Sequence, residues 1–261
     1  MKFSKKSLGQ NFLNDKNIIK KIISSTYIKG RHVIEIGPGE AALTTEILNQ
    51  KPESLTVIEK DNNLAKKLKI KFSNYKKIKV YNDDILKFNL EKILNENCII
   101  FGNLPYNISS QILVKIIKFK NWPPKFTDLI LMFQKELAEK ITGKHLTKNY
   151  GRLSILTNYR LNVLKKFTVS PNCFFPKPKV TSMVIHFKPK IQNLYNIKKI
   201  DMLEKITNIF FSNKRKMINK NIVKLLKEKE INKISDLKMN LRPADLKPET
   251  YFKITEIYEK K

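Results

Sequence analysis

Short apolar runs alternate with amphipathic stretches through the first half of the chain. The runs cover 33–36, 55–58, 78–81, 98–101 and 129–133. Between them, apolar residues recur at helical spacing near 40–50, 61–72, 108–119 and 134–142. One more helix is predicted over 16–28, where Ile18, Ile19, Ile22 and Ile23 share a side behind an Asn14 or Asp15 cap. Continuous apolar runs, rather than strict alternation, signal strands covered on both faces. The pattern therefore predicts a parallel sheet with helices on either side.

Further along, 150–160 has helical character, and 161–168 and 180–188 have strand character. No helical pattern separates these two strands. The connection, Ser170-Pro-Asn-Cys-Phe-Phe-Pro-Lys-Pro-Lys179, is rich in proline, so an antiparallel pair is expected to close the sheet. After Pro189 the strand signal stops, and 197–261 reads as helical and lysine-rich. The expectation is an α/β fold, doubly wound, with a mostly parallel seven-stranded sheet over 1–190 and a small helical domain over 191–261.

Composition adds a partner. The formal net charge of +29 calls for a polyanion, most simply nucleic acid. The excess is nearly all lysine, as in proteins of AT-rich genomes, so many of these charges are passive surface. Two cysteines, Cys98 and Cys173, make no framework. The N-terminus lacks the apolar stretch of a secretory signal, and no run of about 18 apolar residues is present. A cytoplasmic protein that does not cross a membrane is expected. His32, His145 and His186 show no ligand spacing, so no metal is expected.

The candidate chemistry lies at strand ends, where doubly wound sheets bind ligands. Glu35-Ile-Gly-Pro-Gly39 ends the first run, and Gly37 and Gly39 permit a tight turn and close ligand approach. Glu59 follows the second run about 20 residues on, placed to accept from ribose hydroxyls. Asp84, rather than its neighbour Asp83, is expected to hold an adenine amine after the third. The alternative for Glu59 or Asp61 is a helix cap. Such a set suits S-adenosylmethionine. NAD is the rival, disfavoured mildly because position 42 is Ala rather than the third glycine. Glu35 is assigned no chemistry.

After the fourth run comes Phe101-Gly-Asn-Leu-Pro-Tyr106. Asn103 offers a side-chain carbonyl, and Leu104 offers a backbone carbonyl held extended by the proline after it. Two acceptors on an adenine amine would localise its lone pair, and Tyr106 would stack on the base. The base must leave its stack to reach such a pocket.

Several further motifs complete a specific match. Leu8-Gly-Gln-Asn-Phe-Leu13, Leu43-Thr44, Gln134-Lys-Glu136, Tyr150-Gly-Arg-Leu-Ser154, Phe174-Phe-Pro-Lys-Pro-Lys-Val180, Asn213-Lys-Arg-Lys216 and Leu241-Arg-Pro-Ala-Asp-Leu246 appear in order with those above. The chain resembles the ribosomal RNA adenine N6-dimethyltransferase family, nearest its bacterial small-subunit branch. The resemblance implies a Rossmann-like methyltransferase domain and a helical RNA-binding tail. It implies that Asn11 and Leu13 lie against the donor, that Gly37, Glu59, Asp84 and Asn103 line its pocket, and that Tyr106 and Phe174 sandwich the target base. Phe175 stands beside Phe174 and is the alternative. Lys214, Arg215 and Lys216 are read as an RNA contact, with a solvated helix face as the alternative.

The family dimethylates two adjacent adenosines near the 3′ end of small-subunit RNA within a pre-assembled subunit, and a monomer is expected. The rivals are the large-subunit enzymes of macrolide resistance, a basic binding factor that has lost catalysis, and a DNA adenine methyltransferase. The last usually carries two prolines where Leu104-Pro105 stands here.

Overall fold

The computed structural model describes residues 10–192, 194–235 and 237–261. Leu8 and Gly9 of the N-terminal motif lie outside the described residues. The strands are β1 (Phe12–Leu13), β2 (His32–Ile36), β3 (Ser54–Glu59), β4 (Ile78–Asn82), β5 (Cys98–Asn103), β6 (Phe126–Gln134), β7 (Leu161–Val169), β8 (Phe174–Phe175) and β9 (Ser182–Pro189). The helices are α1 (Lys16–Ile23), α2 (Ala42–Asn49), α3 (Asn62–Lys71), α4 (Ser109–Ile117), α5 (Lys135–Ile141), α6 (Arg152–Arg160), α7 (Ile200–Phe211), α8 (Asn219–Leu225), α9 (Glu228–Ile231) and α10 (Pro248–Tyr258).

Seven strands form one sheet in the order β4-β3-β2-β5-β6-β9-β7. The pairs β2–β3, β3–β4, β2–β5 and β5–β6 are parallel, and β9 runs antiparallel to β6. The central strands are buried on both faces. Ile99, Ile100 and Phe101 of β5 and Leu129, Leu131 and Phe133 of β6 have almost no exposed surface. That double burial is why they read as unbroken apolar runs. Strand β9 comes to lie between β6 and β7, so the last strands of the sheet are not in chain order.

From β2 the chain winds outward through β3 and β4, then returns to β5 on the other side of β2. The order reverses between β2 and β5, and the crevice at their carboxyl ends is where such a sheet binds ligands. A second, two-stranded sheet joins the N-terminal segment to the proline-rich connection: Phe12 pairs with Phe175 and Leu13 with Phe174. The adjacent Asp15 caps α1, accepting from the backbone of Asn17 and Ile18 at 2.9 Å.

The chain divides into two compact units, but not by one cut near 190. One unit takes the chain up to Ala138 together with Val163–Pro189; the other takes Glu139–Asn162 together with Lys190–Lys261. The single boundary expected from sequence is corrected because α6 packs on α7 and α10. Its Ile155, Leu156 and Tyr159 are buried there, with Tyr159 and Phe252 rings 5.0 Å apart. The core of this helical unit is aromatic. The Tyr251 ring lies 5.5 Å from that of Phe210, and its hydroxyl donates to the Pro243 carbonyl at 2.7 Å. No helix among the described residues is long and apolar enough to cross a membrane.

Candidate active site

The carboxyl ends of β2, β3 and β5 open into a cavity whose wall includes Asn11, Leu13, Gly37, Glu59, Asp84 and Asn103. The structure thus brings together every residue expected at a donor site. The glycine turn needs its glycines: Gly37 has φ +70° and Gly39 φ +56°, left-handed conformations that strain other residues. Gly39 also lacks room. A Cβ there would come within 2.9 Å of the Phe12 ring.

Glu59 is not the helix cap. That part falls to Asp61, which accepts from the backbone N–H of Asn63 and Leu64. Glu59 instead accepts from the Gly39 N–H at 3.1 Å and the Asp61 N–H at 2.8 Å, one bond to each oxygen. Each oxygen keeps a second lone pair for a ligand hydroxyl. Burial raises its pKa, against the pull of these N–H donors. Asp84 behaves oppositely. Lys60 Nζ, 2.8 Å from its Oδ2, lowers its pKa, so this carboxylate is a charged acceptor. Its Oδ1 accepts from the Leu86 N–H at 2.9 Å.

Glu35 also lines the cavity, fully buried, and accepts from the Thr44 hydroxyl at 2.7 Å. Burial pushes its carboxyl up to about 8, outweighing that bond. Apolar side chains of Ile36, Ile58, Leu64 and Ile85 supply flat, dry surface in the same wall. Carboxylates for hydroxyls and an amine, glycines at the close approach and apolar walls together fit an adenosyl group with a positive centre.

The acceptor loop meets this cavity at the point where the strand order reverses. A Cβ on Gly37 would lie 3.6 Å from the Asn103 carbonyl oxygen. The Asn103 amide is oriented by the N-terminal segment: its Nδ2 donates to the Asn11 carbonyl at 3.1 Å. That bond takes up the donor end and leaves Oδ1 with no protein donor among the described residues. Nor does the Leu104 backbone carbonyl accept a bond there. Two carbonyls therefore stay open as acceptors at successive residues. Tyr106 is half-buried, and its hydroxyl lies 2.6 Å from Ser182 Oγ. Burial raises its pKa, so it is a neutral phenol.

The two phenylalanines offered for the sandwich differ in exposure. Phe174 is only 4% exposed and packs in the core with Leu13, Val169 and Cys173. Like its neighbour Phe175, it is absent from the cavity wall. Phe175, next to it, is 48% exposed, because successive residues of a strand point to opposite sides. Other cavity residues were not foreseen: Phe12, Lys60 and Ile85 line the wall. Phe12 lies within the N-terminal motif, and Lys60 directly follows Glu59, so position relative to a motif was the available signal. Ser182 ends the Pro178-Lys-Val-Thr-Ser182 segment, whose first residue of strand carries a polar atom into the interior.

Lys214, Arg215 and Lys216 sit on an exposed turn between α7 and α8, not on a helix face. No carboxylate pairs with them among the described residues. The histidines have protein partners: His32 with Ser54, His145 with the Asp245 carbonyl, and buried His186 with Asp128 at 2.8 Å. Among the described residues no group of three His, Cys, Asp or Glu is arranged to hold a metal.

The chain is similar to known proteins in sequence and in fold. The family model for ribosomal RNA adenine dimethylase matches residues 1–260. A ribosomal RNA small subunit methyltransferase A from Pelagibacter ubique is 47% identical over 98% of this chain and 97% of its own length. The protein of the same name from Malacoplasma penetrans is 39% identical over 97% of this chain and 91% of its own. Among solved structures, a dimethyladenosine transferase from Plasmodium falciparum superposes with a TM-score of 0.74 at 25% identity, covering 93% of this chain and 95% of that one. The 23S rRNA methyltransferase ErmE superposes with a TM-score of 0.70 at 25% identity, covering 95% and 100%.

Proposed function

The chain belongs to the ribosomal RNA adenine dimethylase family, and we propose that it dimethylates the N6 amines of two adjacent adenosines near the 3′ end of small-subunit ribosomal RNA, with S-adenosylmethionine as donor, during subunit assembly. One observation carries the chemistry: Asn103 presents an open carbonyl at the reversal of strand order, beside the donor cavity, with its amide fixed by Asn11. The small subunit is favoured over the large by the relatives' names at 47% and 39% identity, since the two solved folds superpose almost equally well.

Glu59 would hold the ribose hydroxyls, Asp84 the donor's adenine amine, and Gly37 and Gly39 would admit the donor's methionine end close to the backbone. Bound there, the donor supplies a methyl on a cationic sulfur, open to in-line attack by an amine. An adenine amine is a poor nucleophile because its lone pair is spread into the ring. Asn103 Oδ1 and the Leu104 carbonyl would accept its hydrogens out of the ring plane and so localise the lone pair. No base is needed beforehand, because the alkylated amine sheds its proton readily. Tyr106 would stack on the extruded base, with Phe174 or its exposed neighbour Phe175 as the second aromatic. Lys214, Arg215 and Lys216 would bind phosphate and set register without reading sequence. The enzyme acts as a monomer in the cytoplasm.

Asn103→Ala tests the acceptor role. Methyl transfer to small subunits is expected to be lost while the dissociation constant for S-adenosylmethionine, measured by calorimetry, changes little. Full transfer activity in that variant would refute the role.

A further inference from the structure

Strand β9 runs antiparallel to β6, so its first residue stands at the edge where the parallel strands end. Ser182 is that residue, opposite Gln134, the last of β6. The acceptor loop leaves β5 at the same edge. Ser182 is 0% exposed, and its Oγ lies 2.6 Å from the Tyr106 hydroxyl, its only side-chain partner among the described residues. A buried hydroxyl deprived of its partner loses stability, so the two groups hold one another. The Ser109 hydroxyl also donates to the Tyr106 carbonyl at 3.1 Å, so backbone and ring of Tyr106 are both restrained.

We propose that Ser182 is a positioning residue of the acceptor site, fixing the plane of the Tyr106 ring so that its face is ready for the target base. The inference rests on Tyr106 being the stacking face. A tyrosine ring swings about two side-chain torsions, and a tether at its far oxygen removes that freedom before the base arrives. Phenylalanine at 106 would keep the ring and lose the tether. Alanine at 182 would do the same from the other side without adding bulk.

The test is a double-mutant cycle on kcat/KM for unmethylated small subunits, with donor affinity and Tm measured alongside. Ser182→Ala and Tyr106→Phe are each expected to lower kcat/KM about fivefold, the worth of one hydrogen bond, mostly through KM. The double variant should be no worse than either single one, because both changes remove the same bond. Donor affinity should not move. Additive losses, or no loss in either variant, would overturn the tether. Tyr106→Leu separates the two ideas. If it abolishes transfer while the cycle shows no coupling, stacking stands and the tether falls. If it retains full activity, the stacking role falls and the tether with it. Should Ser182→Ala fail to fold, Tyr106→Phe alone decides, an unchanged kcat/KM overturning the proposal.

Discussion

Two carboxylates in one cavity are held in opposite states. Asp84 is kept charged by Lys60, whereas burial leaves Glu35 protonated at neutral pH, with a pKa near 8. Glu35 was given no part from sequence, and its place against Thr44 makes it a support of the β2 end rather than a base. Its pKa is higher folded than unfolded, so the folded state holds an extra proton between about 4.5 and 8. This carboxyl therefore carries no penalty below 4.5 and destabilises the fold progressively as pH rises to 8. Glu35→Gln keeps an acceptor for Thr44 without the charge. Thermal melts from pH 5 to 8 should show wild type losing stability relative to the variant as pH rises; parallel curves would contradict a buried neutral carboxyl. At this scale the sequence was informative wherever a residue's part depends on strand-end position, as for Glu59, Asp84 and Asn103. It was silent where the part depends on a neighbour distant in the chain: the Asn11 carbonyl that orients Asn103, or the Tyr106 hydroxyl that meets Ser182.

At the scale of elements, the sheet was legible because its strands are buried on both faces and the intervening helices keep one apolar side. The two-residue strands β1 and β8 were not, since a pair of residues has no periodicity and forms only through a partner over 150 residues away, as in Phe12 with Phe175. The same pairing separates the two phenylalanines: the register with Leu13 turns Phe174 inward and Phe175 outward. It also ties Phe12 over the glycine turn. Gly39→Ala should disturb this cover, because a Cβ would meet the Phe12 ring at 2.9 Å and the residue already sits at φ +56°. Strain of about 1 kcal/mol or somewhat more is expected at such a φ; if the free turn relaxes to relieve it, the donor must restore the tight geometry, and its Kd rises about five- to tenfold. Titration calorimetry reads this directly, and an unchanged Kd would show that the N-terminal segment is not part of the donor site. The α6 segment was misplaced for a related reason: its apolar side gives the helix away but does not say which unit it packs on.

For the whole molecule, the charge of +29 is large, yet charge alone does not say which lysines touch RNA. The turn bearing Lys214, Arg215 and Lys216 stands out because all three are exposed and no carboxylate neutralises them among the described residues. Changing the three to Ala should weaken small-subunit binding and flatten its dependence on salt, by about one unit of log-log slope for each phosphate no longer neutralised. An unaltered slope would place the RNA elsewhere on the lysine surface. The central claim is one of reaction and substrate together, and methyl transfer tests both. Labelled S-adenosylmethionine should be offered to unmethylated small subunits, to large subunits and to duplex DNA, and the labelled nucleoside identified. The account predicts N6,N6-dimethyladenosine in the small subunit alone. Label in the large subunit or in DNA, or tight subunit binding with no label anywhere, would contradict it.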